Sequence, residues 1–99
     1  MRIEFERTGW FAGIRFAAAI DTETLPPDDA RALQDLVAEA DFFRLPARLV
    51  SPAPGADRFQ YRITVESGGQ RRTLEAGEAA LPETLRSLVE RLTQIARRR

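Results

Sequence analysis

Two residue types are missing altogether from the 99-residue chain: cysteine and histidine. Without cysteine there is no disulfide framework and no thiol nucleophile. Without histidine neither a Ser-His-Asp nor a Cys-His arrangement can be built. Zinc sites draw almost always on these two residues, so no metal or other cofactor is expected. Surplus charge is also lacking, since Lys+Arg and Asp+Glu are both 15. A general polyanion binder rests on a basic surplus, so nucleic acid is not the expected partner. Long apolar runs are absent too. The longest, residues 14–20, is broken by Arg15 and is far too short to span a bilayer, so no membrane role is expected. The opening Met-Arg-Ile-Glu-Phe-Glu is strand-like and holds no apolar signal core, which makes the cytoplasm the expected location. The length suits one domain over residues 1–99, with one modest core and no deep cleft between lobes.

What is present is organised around residues 57–66. Phe59, Tyr61, Ile63 and Val65 share one parity; Arg58, Gln60, Arg62, Thr64 and Glu66 share the other. Side chains on a strand alternate between faces, so this is a strand with one dry face and one wet face. Its β-branched and aromatic residues suit a half-buried pleated surface. Residues 2–7 alternate in the same way, with Ile3 and Phe5 on one side. Residues 14–20 place Ile14, Phe16, Ala18 and Ile20 together. A short loop with Gly9 and Gly13 joins these two, which predicts a hairpin with Trp10 and Phe11 at its tip.

Pro26 and Pro27, followed by Asp28 and Asp29, predict a helix start, because the dipole favours negative charge in the first turn. Ala30, Leu33, Leu36, Val37 and Ala40 form its apolar stripe, and the helix should end near Ala40 or Asp41. Phe42, Phe43 and Leu45 follow, closed by Pro46, and one phenylalanine is expected to plug the sheet end. Residues 51–56 form a proline- and glycine-rich loop. Ser67, Gly68 and Gly69 make a turn into a weaker strand over residues 70–76. Pro82 opens a last helix with Leu85, Leu88, Val89, Leu92, Ile95 and Ala96 on one side. The expected fold is α+β in the order ββαββα: a four-stranded, mainly antiparallel sheet with both helices on one face.

Few residues invite chemistry. Glu4, Glu6, Glu66 and Glu75 could pair as acid and base, but no cleft, histidine or metal motif accompanies them, and a solvated sheet face accounts for them. Gly68-Gly69 lacks the following Lys-Ser/Thr of a phosphate loop. Arg97, Arg98 and Arg99 complement a helix C-terminus, the alternative being contact with nucleic acid. Trp10 and Phe11 either anchor an interface or tuck under the hairpin. Leu25, outside the helical stripe and followed by two prolines, is either a staple onto the first helix or an exposed apolar residue on a stiffened loop.

Four pieces of the chain together resemble the emfourin family. They are Gly9-Trp10-Phe11-Ala12-Gly13-Ile14, Asp21-Thr22 with Leu25-Pro26, Phe42-Phe43 with Leu45-Pro46, and the run from Pro54 to Val65. Trp10 stands where a smaller residue is expected. The resemblance spans nearly the full chain, and its last piece is the most specific. It implies a small bacterial, intracellular inhibitor of protealysin-type, thermolysin-like zinc metalloproteases; with no catalytic constellation in the sequence an enzyme is not expected, and the free protein is expected to be a monomer. Such proteases accept a large apolar side chain beside the scissile bond. Leu25 followed by Pro26 fits that demand best, with Thr24 and Glu23 lining the approach. Trp10 and Phe11 are the second choice, and residues 51–56 are expected to contribute. With no cysteine or histidine, blocking by shape is favoured over taking the metal. The competing readings are a non-inhibitory protein–protein adaptor using the wet sheet face or a strand edge, and a small nucleic-acid binder using Arg58, Arg62 and the arginine tail.

Overall fold

A computed structural model describes residues 1–9, 15–50 and 59–98. Among these residues the chain forms five strands and two helices. The strands are β1 (Arg2–Gly9), β2 (Arg15–Asp21), β3 (Arg48–Leu49), β4 (Phe59–Ser67) and β5 (Gln70–Gly77). The helices are α1 (Pro27–Glu39) and α2 (Glu83–Arg97). The sheet order is β2-β1-β4-β5-β3, which puts the strand with the strongest alternation, β4, in the middle. All pairings are antiparallel except β3 with β5, which is parallel.

The expected four-stranded sheet is therefore corrected to five. β3 has only two residues, Arg48 and Leu49, and two residues carry no period that a sequence pattern can show. It exists because β5 supplies its partner: Glu75 N–H donates to Ala47 O at 2.8 Å, and Leu49 lies opposite Ala76.

Alternation decides which face is dry. Ile3, Phe5, Ile20, Ile63, Val65 and Leu74 are buried and line up across the sheet by register. Both helices cover that face. Leu33 and Val37 of α1 and Leu85, Leu88, Val89, Leu92 and Ile95 of α2 join the strand residues in one apolar cluster. The helices run antiparallel, tied at one end by Arg98 to Asp29 at 2.9 Å. Pro27 sits in the first turn of α1 with Asp28 and Asp29, as the dipole favours. Asp41, at φ 52°, takes the left-handed conformation that ends the helix. Phe42 then folds back and is 1% exposed, the expected plug, with Phe43 edge-on at 6.0 Å between ring centroids. The β4–β5 turn holds Gly68 at φ 58° and Gly69 at φ 80°, the paired positive angles of a tight hairpin turn.

The opposite face is open and charged. Arg15 pairs with Glu6 at 2.8 Å, Arg62 with Glu75 at 3.0 Å, and Arg71 bridges Glu66 at 2.9 Å and Glu4 at 3.1 Å. The Arg71 guanidinium, hydrogen-bonded to Glu66 and beside Glu4, is pushed above its ordinary pKa. Thr64, between longer neighbours, is buried there and shares a 2.9 Å hydrogen bond with Thr73.

Candidate functional site

The turn between β2 and α1 holds four of the six residues that the sequence singles out. Thr22–Thr24 forms one 3₁₀ turn. Asp21 caps it: its carboxylate accepts from Glu23 N–H at 2.9 Å. Thr24 hydroxyl donates to Asp21 O at 2.8 Å, and Leu25 N–H donates to Thr22 O at 3.2 Å. Thr22 is buried, and both its N–H and its hydroxyl donate to Met1 O, at 2.9 and 3.1 Å. These bonds satisfy several of the turn's polar groups locally and tie it to Met1, the residue before β1. Glu23, Thr24 and Pro26 are exposed at its surface. Leu25 is half-buried and packs against the core. It sits directly before the α1 N-cap, Pro26, the position from which a staple reaches the helix.

The other two singled-out residues, Trp10 and Phe11, lie outside the described residues, as do Arg58 and residues 51–56. Their flanks are described. Gly9 pairs with Phe59, Thr8 with Arg15, and Gln60 with Gly77, so these flanks gather at one end of the sheet. Asp21, opposite Arg2, and Glu66 lie at the other end. The eight residues of β1 separate the two ends by roughly 25 Å at about 3.3 Å per residue. The structure thus does not bring the turn together with the flanks of residues 51–56.

At the Gly9 end Arg7 closes the core with its guanidinium over two rings, 4.9 Å from the Phe59 centroid and 5.6 Å from that of Phe16. Arg97 of α2 approaches the same Phe16 ring at 5.9 Å. β3 reaches this end as well, and the residue after it, Val50, is 71% exposed. No periodicity or turn signal in the sequence singles out Val50. Its exposure follows from the β3–β5 pairing, which no local pattern announces.

The open face offers little to a small molecule. A depression of about 410 Å³ lies over Ala17 and Ala19 of β2, beside Arg15, Arg62, Glu4 and Glu6. It arises because alanines stand among long side chains, and Arg15 and Arg62 on its rim are engaged by Glu6 and Glu75. The acid–base candidates Glu4, Glu6, Glu66 and Glu75 all take part in ion pairs with arginine on this face. Among the described residues no cluster of three or more metal-binding side chains occurs, and no helix is long and apolar enough to cross a membrane.

Among the described residues the surface thus offers a self-bonded turn, a paired charged face and one exposed large apolar side chain, Val50. The family comparison supplies the class: the Emfourin family model matches residues 5–93, and the chain belongs to that family. The family carries a metalloprotease-inhibitor role, which is not an enzymatic one. No curated protein and no solved structure matches the chain.

Proposed function

We propose that this protein inhibits a protealysin- or thermolysin-like zinc metalloprotease by occluding its active site with an apolar side chain held on a braced segment. The observation that carries the occlusion reading is the self-bonded turn at residues 21–26. Five hydrogen bonds already brace it, so little conformational freedom is lost when a partner closes on it. In this reading Glu23, Thr24 and Pro26 line the contact, and Leu25 offers only its exposed part. Competition for the metal is disfavoured, because the chain holds neither cysteine nor histidine. The protein acts as a monomer, in the cytoplasm that it shares with its target.

The experiment is a titration of a purified thermolysin-like metalloprotease with the folded protein, read as hydrolysis of a peptide substrate. Tight stoichiometric loss of activity is expected, with the zinc retained by the enzyme. Full activity at a large molar excess of folded protein, against several such enzymes, would falsify the reading. Zinc leaving the enzyme would replace occlusion with metal capture. If Leu25 is the anchor, Leu25→Ala should weaken inhibition by at least about 2 kcal/mol.

A further inference from the structure

Leu25 has already spent most of its apolar surface on this protein's own core, whereas Val50 has not. A lone surface valine is ordinary. Val50 differs in how it is held. The preceding residue, Leu49, packs against the core. Ala47 O accepts the Glu75 N–H at 2.8 Å. Arg72 guanidinium donates to Leu45 O. Arg48, one residue before Leu49, meets Glu75 at 3.4 Å. Residues 45–49 are therefore fastened to β5 at three places and sunk into the core at a fourth, and the next side chain stands in water. Beside it lies a depression of about 240 Å³ bordered by Gln60, Glu75 and Gly77.

We propose that Val50 is the apolar anchor by which this chain engages its metalloprotease, a proposal that rests on the inhibitor reading. The partner surface it fits is a small apolar pocket with an acceptor at its rim. Arg48, whose side chain is 74% exposed, would donate to that acceptor. Burying valine is favourable by the hydrophobic effect, and the fastened stem spares the cost of ordering it. Leu25 then acts as a foot for its turn, not as bait.

The test compares inhibition constants and melting temperatures for the wild type, Val50→Asp, Val50→Thr, Val50→Ile and Leu25→Ala. Val50→Asp should weaken inhibition by about tenfold or more. Val50→Thr keeps the shape but exchanges one methyl for a hydroxyl that the apolar pocket must desolvate, and should weaken it several-fold. Val50→Ile should match the wild type, and all three should melt with it. Leu25→Ala should lower the melting temperature and leave the inhibition constant nearly unchanged while the protein stays folded. Wild-type inhibition that survives Val50→Asp unchanged overturns the assignment to Val50 and leaves the inhibitor reading standing. A folded wild type that inhibits no thermolysin-like enzyme removes both.

Discussion

The two ends of the sheet solve the same problem in opposite ways. At the Met1 end the chain is held by short polar bonds: Thr22 to Met1 O, Thr24 to Asp21 O, Glu23 N–H to Asp21. At the Gly9 end it is held by packing and pairing: Leu49 in the core, Ala47 against β5, and Arg7 across Phe16 and Phe59. The first arrangement consumes its own donors and acceptors and leaves a polar tip of Glu23 and Thr24. The second spends inward-facing residues on the fold and leaves Val50 outside. A segment that satisfies its own polar groups is rigid and can line a contact, but it has little apolar surface left to bury. A segment fastened from below stays rigid and still has surface to bury.

Four substitutions test that contrast, from the largest expected effect downward. Phe42→Ala removes the plug just before the fastened stem and should cost about 3–5 kcal/mol, read by denaturant unfolding. A cost under about 1 kcal/mol would mean that the stem does not depend on this packing. Arg72→Met takes the donor from Leu45 O and should cost about 1–2 kcal/mol. Inhibition should fall further than the lost stability explains, because the stem beneath Val50 loosens. Thr22→Val removes one of the two bonds to Met1 O, and the N–H bond remains, so about 1 kcal/mol or less is expected. Inhibition should change little, because the remaining bond holds the turn; a large loss would make the turn, not Val50, the anchor. Glu75→Gln weakens the exposed pairs to Arg62 and Arg48 and should change stability by no more than about 0.5 kcal/mol, an effect that added salt erases.

Much of this architecture is legible in the residue order, because its elements are periodic. β4 announces itself by parity, and it is the middle strand of the sheet. Leu85, Leu88, Val89, Leu92 and Ile95 announce α2 by helical spacing. The β1–β2 hairpin and the Gly68-Gly69 turn follow from local chemistry. β3 does not, since its two residues become a strand only when β5 is beside them. The site shares that limit. The turn at residues 21–26 was visible as punctuation, yet the burial of Thr22 and the seating of Leu25 depend on Met1 and the core. Val50 looks like any other valine until Leu49 is known to face inward. Trp10 and Phe11, outside the described residues, keep only their sequence-based roles.

The parallel union of β3 with β5 also has a kinetic side. The β1–β2 and β4–β5 hairpins close between chain neighbours, whereas Ala47 and Glu75 must find each other across 27 intervening residues. Long loops close late, so this seam should zip after the hairpins and reopen before them. Deuterium uptake at the Glu75 amide would then clock how often the molecule stands folded yet unready, its latch undone while the rest of the sheet stays shut.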